Sequence, residues 1–180
     1  MRDTIVPALR LFVVALVAAL LLGVVHYVTR DPIARYAEEK ARAARLAVVP
    51  DAVSFQASSE DEALYLGYDA SGALAGYALT VKAKGYGGAM TVMVGLSADG
   101  KILGVRVNAH NETEGLGSRC AGEGWLSRFV GLSGSARLRA DGGQVDAVSG
   151  ATISSRAVTG AVDTALAYYE EHLGGGRAGS

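Results

Sequence analysis

The chain carries its most chemically informative residues just before its last amphipathic stretch. Residues 146–155 read Asp-Ala-Val-Ser-Gly-Ala-Thr-Ile-Ser-Ser, and the apolar periodicity of a helix follows them. The first turn of a helix leaves backbone N–H groups unpaired and carries a partial positive charge, and both features favour a phosphate group. Ser154 or Ser155 could cap this helix, which would leave the Thr152 hydroxyl available for another role. By composition alone, an ordinary helix cap without a ligand is the favoured interpretation of the same residues.

Composition and charge exclude several other kinds of chemistry. The 180 residues include 17 basic and 18 acidic ones, so the net charge of −1 gives no field that favours nucleic acid. Cys120 is the only cysteine, which excludes an internal disulfide, an iron–sulfur cluster and a multi-cysteine zinc site. The three histidines are scattered without the spacing of metal ligands. We predict no metal site, and any redox chemistry would require an organic cofactor.

The segment before the last helix resembles a known attachment motif. Residues 146–155 are similar to the flavinylation motif Asp-x-x-Ser/Thr-Gly-Ala-Thr-x-x-Ser of the FMN-binding domains in the RnfG family of Rnf complexes and in the related NqrC family. In that family a separate flavin transferase, with FAD as donor, esterifies the matching threonine to the FMN phosphate. The resemblance therefore implies one covalent FMN per chain on Thr152. It also implies that the rest of the motif contributes to the cofactor site: Asp146, Ser149, Gly150, Ala151 and Ser155.

Two upstream segments extend the resemblance. Residues 110–117, His-Asn-Glu-Thr-Glu-Gly-Leu-Gly, resemble the family's Glu-Thr-Pro-Gly-Leu-Gly loop, which lies against the isoalloxazine ring; Glu114 stands where proline is usual. A Gly-x-Gly turn lets backbone amides approach a flat ring. Residues 85–90 resemble the family's Gly-Tyr-x-Gly segment, although an aromatic residue at a strand start also suits core packing. The ring contacts that this resemblance implies come from Tyr86, Glu112, Thr113, Leu116 and Gly117.

The elements that must position these residues can be predicted from periodicity. Alternating apolar residues predict antiparallel strands over 64–68, 74–83, 90–96 and 102–107, each with one buried face, and turn sequences join them into hairpins. Residues 125–130 suggest a short helix. Apolar residues at helical spacing from Val158 to Leu173 predict the last helix, which glycines end. Gly160 inside this helix costs about 1 kcal/mol relative to alanine, which suggests close packing there.

The N-terminal part predicts a membrane anchor. Residues 11–25 contain no polar side chain, and the apolar run continues to residue 28 with only His26 interrupting it. Eighteen helical residues at about 1.5 Å each cover roughly 27 Å, close to the hydrocarbon thickness of a bilayer. A cleaved signal peptide is the alternative, although its apolar core is usually shorter. Positive charges lie on both sides of the run, so charge does not decide the orientation.

These observations together predict an α+β fold: an antiparallel sheet flanked by helices, with one N-terminal transmembrane helix. We predict an anchor over 1–29, a stalk helix over 30–50 that starts at Asp31 and Pro32, an FMN-binding domain over 51–173 and a disordered tail over 174–180. The resemblance implies a single-pass protein of the bacterial inner membrane, with its domain on the extracytoplasmic side.

The implied function is that of a redox subunit of an ion-translocating ferredoxin:NAD oxidoreductase, which is not expected to be catalytic alone. Its implied partners are the other membrane and peripheral subunits of an Rnf-type complex, the flavin transferase and membrane lipid. The alternatives are an NqrC-type subunit of a sodium-translocating quinone reductase and a membrane-anchored interaction module without redox chemistry. Members of the NqrC group are usually considerably longer than 180 residues, which favours the RnfG family.

Overall fold

The computed structural model describes residues 2–174. For residues 2–9 and 31–34 it describes the backbone only. The helices and strands, in chain order, are α1 Arg2–Val48, β1 Ser54–Ala57, β2 Leu64–Tyr68, β3 Leu74–Lys84, β4 Ala89–Leu96, β5 Ile102–Ala109, α2 Glu123–Leu126 and α3 Thr152–Tyr168. Short 3₁₀ turns cover Gly117–Ala121, Ser127–Phe129 and Arg139–Asp141, and one π-helical turn, Tyr169–Leu173, continues α3. The predicted tail beyond residue 174 lies outside the described residues.

The first helix is one continuous element. The predicted separate helix start at Asp31 and Pro32 is wrong, because α1 runs through both residues. Alanine, glutamate, lysine and arginine follow them, and these strong helix formers outweigh one proline. From Leu11 to Val28 the large apolar side chains are exposed. By length and composition α1 could cross a membrane, a test that a signal sequence would also pass.

The chain divides into two compact units, residues 1–42 and 43–180. The second unit is built on a five-stranded sheet in the order β1-β2-β3-β4-β5, with every neighbouring pair antiparallel. This confirms the predicted antiparallel sheet and its hairpins. The β2–β3 and β4–β5 turns contain Gly72 and Gly100 at φ 82° and 75°, a backbone region that favours glycine. The sequence did not predict β1, which has four residues and is mostly exposed.

Both faces of the sheet centre are covered, so the prediction of one buried face per strand is wrong there. One face packs against α3, with Val92 and Val94 in the same core as Val158 and Val162. The opposite face packs against the end of α1, where Val48 is fully buried with neighbouring residues of the second unit. A Cβ at Gly95 would overlap the Val48 carbonyl group, which explains this glycine in the middle of β4.

The last helix presents its predicted apolar face to the core. The buried residues of α3 include Val158, Ala161, Val162, Ala165 and Leu166. The predicted close packing at Gly160 is wrong, because the residue is exposed and a Cβ there would meet no atom within 4 Å.

An ion pair and a hydrogen bond fix α3 to the loop that precedes it. Arg156 donates two hydrogen bonds to Asp141, at 3.0 and 2.8 Å. The Arg156 guanidinium lowers the pKa of the Asp141 carboxyl group. Further along the helix, the Asp163 carboxylate accepts the Ala136 N–H at 2.9 Å. The start of α3 is therefore held in a defined place beside the loop that leads into it.

Candidate cofactor site

Three segments that are distant in sequence meet in a cleft of about 450 Å³ at the start of α3. This volume lies within the range of small-molecule sites in proteins. The segments are the β3–β4 turn, the loop after β5 and the loop that enters α3. The residues that line the cleft are Tyr86, Glu112, Thr113, Leu116, Gly117, Gly150, Ala151, Thr152, Ile153 and Ser154. Every residue predicted for the cofactor site is among them except Asp146, Ser149 and Ser155.

The start of α3 offers an uncapped helix end. Thr152 is the first residue of the helix and is exposed, and Ala151 precedes it at the cap position without a side-chain hydrogen bond to the helix. The predicted capping by Ser154 or Ser155 is wrong, because both lie inside the first turn and are buried. The backbone N–H groups of this turn therefore keep the partial positive charge that suits an anion. The Thr152 hydroxyl stands at the same place.

Residues 147–151 lead into Thr152 and are named the attachment loop after their predicted role. Ser155 supports this loop from the side of the core and does not line the cleft. Its hydroxyl donates to the Ala151 carbonyl at 2.9 Å and accepts the Val148 N–H at 3.0 Å. The Cys120 sulfur lies 3.4 Å from the same oxygen. Either of these two atoms can donate in that contact, and the thiol can also donate to the Ala151 carbonyl, 3.9 Å away. Burial raises the pKa of the Cys120 thiol, and the residue packs as a small buried apolar side chain.

Glu112 joins the three segments of the cleft. Its side chain is buried, and its Oε1 accepts the Gly87 N–H at 3.0 Å while its Oε2 accepts the Ser154 hydroxyl proton at 2.5 Å. A Cβ at Gly85 or at Gly117 would overlap this carboxylate group. The glycines of both upstream motifs therefore make room for Glu112. This differs from the predicted reason, which was access of backbone amides to a ring.

Three large apolar side chains that line the cleft are exposed to solvent. Tyr86 is 72% exposed, Leu116 is 49% exposed and Ile153 is 55% exposed, and all three line the cleft. The alternative role of Tyr86 in core packing is therefore wrong. Ile153 was missed because it occupies an unspecified position of the motif. Helical geometry would have indicated it, since a residue directly after Thr152 shares the first turn.

Asp146 and Ser149 lie outside the cleft. The Asp146 carboxylate pairs with Arg139 at 2.8 Å and more distantly with Arg128 at 3.7 Å. Its backbone carbonyl accepts the Trp125 indole N–H at 2.7 Å. Ser149 is exposed on a neighbouring groove that Arg119 also lines, so Arg119 does not reach the cleft either. These contacts indicate that Asp146 holds the approach to the attachment loop.

Comparison with known proteins agrees with this geometry. Residues 85–167 match the family model of the FMN-binding domain, which confirms FMN as the cofactor type of this domain. A crystal structure of the NqrC-type subunit of the Na(+)-translocating NADH-quinone reductase from Parabacteroides distasonis has a similar fold. It has a TM-score of 0.51 and 22% identity, over 61% of this chain and 61% of that chain.

Two curated relatives are similar over nearly the whole chain. The G subunit of the ion-translocating oxidoreductase complex of Cereibacter sphaeroides is 36% identical over 93% of this chain and 85% of that protein. The G subunit of the Na(+)-translocating ferredoxin:NAD(+) oxidoreductase complex of Acetobacterium woodii is 33% identical over 89% of this chain and 88% of that protein. Because identity of this level extends over most of both lengths, the chain belongs to the RnfG family, the G subunits of ion-translocating oxidoreductase complexes.

Proposed function

We propose that this chain relays electrons within a membrane-bound ion-translocating oxidoreductase through one FMN that is bonded to Thr152 by its phosphate. The observation that carries the proposal is the exposed Thr152 hydroxyl at the uncapped start of α3, inside a cleft of suitable size. Bound FMN would supply the capacity to accept and release one or two electrons. The chain's own residues hold, orient and shield that group.

The residues of the cleft fit an FMN in two parts. The unpaired N–H groups of the first turn of α3 suit the phosphate. The exposed apolar side chains of Tyr86, Leu116 and Ile153 suit a flat aromatic ring, which would cover them. Gly150, at φ 78°, turns the backbone directly before the attachment point.

Attachment is a phosphoryl-group transfer to the threonine. The Thr152 oxygen forms a bond to the FMN phosphorus of FAD, the pyrophosphate bond breaks, AMP leaves and the hydroxyl proton is released. A separate flavin transferase carries out this step. The chain contributes an accessible hydroxyl group in a fixed loop. The covalent link prevents the cofactor from dissociating.

The proposal also covers the membrane location of the domain and its partner subunits. In it, α1 crosses the bacterial inner membrane, the FMN-binding domain lies on the extracytoplasmic side and other subunits of the complex exchange electrons with it. The exposed apolar part of α1 and the names of the relatives support the membrane crossing and the assembly with other subunits. The side of the membrane rests on the family resemblance. A reporter enzyme that is active only outside the cytoplasm, fused after residue 180, should be active. Activity only of a cytoplasmic reporter at that position would contradict the proposed topology.

The test of attachment is a denaturing gel of the full chain produced with an active flavin transferase. The unmodified chain should give a fluorescent band and an intact mass increased by one FMN less one water. The band should disappear in Thr152→Ala and persist, more weakly, in Thr152→Ser. Thr164→Ala, an exposed threonine on the same helix, is the matched control and should keep the band. An unmodified chain of bare polypeptide mass would refute the proposal and favour a module without redox chemistry.

A further inference from the structure

Glu112 is a buried acid that the attachment chemistry does not use. Its side chain lines the candidate flavin cleft although the residue is only 6% exposed. Among the side chains that the structure describes, the ion pairs join other residues, and no cation pairs with this carboxylate. His110 faces the Glu112 backbone, where its Nδ1 accepts the N–H at 3.3 Å. Burying a carboxylate without a counter-ion lowers the stability of the fold, so a functional reason for Glu112 is expected.

Both carboxylate oxygens of Glu112 accept a hydrogen bond. One donor reaches each oxygen: the Gly87 peptide N–H on Oε1 and the Ser154 hydroxyl on Oε2. A peptide N–H can only donate, so this oxygen acts as an acceptor. Both donors stabilise the negative form, and neither neutralises its net charge. Gly85 and Gly117 both lie against the carboxylate, since a Cβ at either position would overlap it.

We infer that Glu112 holds the three segments of the cleft together and lowers the reduction potential of the flavin bound there. The potential falls because the negative charge of the carboxylate opposes the addition of electrons to the ring. This inference rests on the proposed function. The physical reason is that a charge inside a partly buried cleft is screened much less than one on the surface. Removing the charge while keeping the shape should therefore make the flavin easier to reduce.

The test compares the reduction potentials of full-length, flavinylated chains in detergent by spectroelectrochemical titration. Glu112→Gln should raise the potential. At the midpoint potential of the unmodified chain, the ratio of reduced to oxidised flavin should rise about tenfold or more, as expected for the loss of one weakly screened unit charge from the same cleft. Glu114→Gln removes an exposed charge two residues away and is the matched control. Its potential should stay at that of the unmodified chain.

A second variant covers the case in which Glu112→Gln does not fold. Ser154→Ala removes a hydroxyl dipole that partly offsets the carboxylate, so its potential should fall below that of the unmodified chain. A potential in Glu112→Gln that equals that of Glu114→Gln would overturn the inference, as would an unchanged potential in Ser154→Ala. Covalent flavin in the unmodified chain together with such results would leave the proposed function intact. An unmodified chain that takes up no flavin would overturn both proposals.

Discussion

Replacing Ser155 by alanine removes the hydroxyl that holds the attachment loop from behind. The substitution deletes the hydrogen bond to the Ala151 carbonyl and the bond from the Val148 N–H. Ala151 keeps a second donor, because the Ser155 backbone N–H also reaches its carbonyl at 2.9 Å. Val148 has no such replacement within the same loop and is only 8% exposed, so its N–H would be left buried and unpaired.

The size of the effect follows from these two losses. A net hydrogen bond contributes about 1 kcal/mol, and a buried donor left without a partner costs about 1–3 kcal/mol. We therefore expect the free energy of unfolding to fall by about 2–4 kcal/mol. For a domain of roughly 130 residues, this corresponds to a melting temperature lower by roughly 7–15 °C. The loop that presents Thr152 should also become mobile enough to lower the yield of flavin attachment.

The assay is thermal unfolding of the detergent-solubilised chain, with in-gel flavin fluorescence measured on the same samples. Ser149→Ala is the matched control because its side chain is exposed in the same loop, and it should stay within about 0.5 kcal/mol of the unmodified chain. If Ser155→Ala and Ser149→Ala melt at the same temperature, the hydroxyl does not support the loop, and the argument from the two hydrogen bonds is wrong.

Two further outcomes follow from other parts of the fold. Gly160→Ala should stabilise the chain by about 0.5–1 kcal/mol in a denaturant titration, because α3 gains a better helix former and a Cβ there meets no atom. A lower stability would mean that this exposed face is more crowded than it is in the structure. Cys120, whose thiol pKa is raised by burial, should react with a thiol reagent only after unfolding. Rapid modification of the folded chain at neutral pH would contradict its burial beneath the attachment loop.

Local patterns predicted most of the second unit. The strand over Leu64–Tyr68 has the predicted bounds, and the other predicted strands differ from the structure by only one or two residues at an end. The error at Asp31 and Pro32 arose because a local cap signal competed with strong helix propensity on both sides. The covered second face of the sheet could not be predicted, since it depends on where Val48 packs. Only a contact across the fold reveals that Gly95 accommodates this helix.

The resemblance grouped residues that the structure places around one cleft, but it did not show which of them face the cleft. The resemblance brought together Thr152, Leu116 and Tyr86, which lie far apart in sequence and share one cleft. It could not distinguish residues that face the cleft from those that hold it. Ser155 belongs to the motif yet turns its hydroxyl to the loop, and Glu112 reads as one of two loop acids yet is buried. Both distinctions depend on which side of a backbone faces the core, which a motif does not record.

The link from Gly87 through Glu112 to Ser154 closes over chain separations of 25 and 42 residues. Local hairpins form quickly during folding, whereas contacts of this range wait until the later segment has been made and has docked. A nascent chain that stops before α3 therefore has most of the sheet but lacks Thr152, the proposed point of attachment. Under the proposed function, covalent flavin would therefore mark molecules that have been synthesised to the last helix.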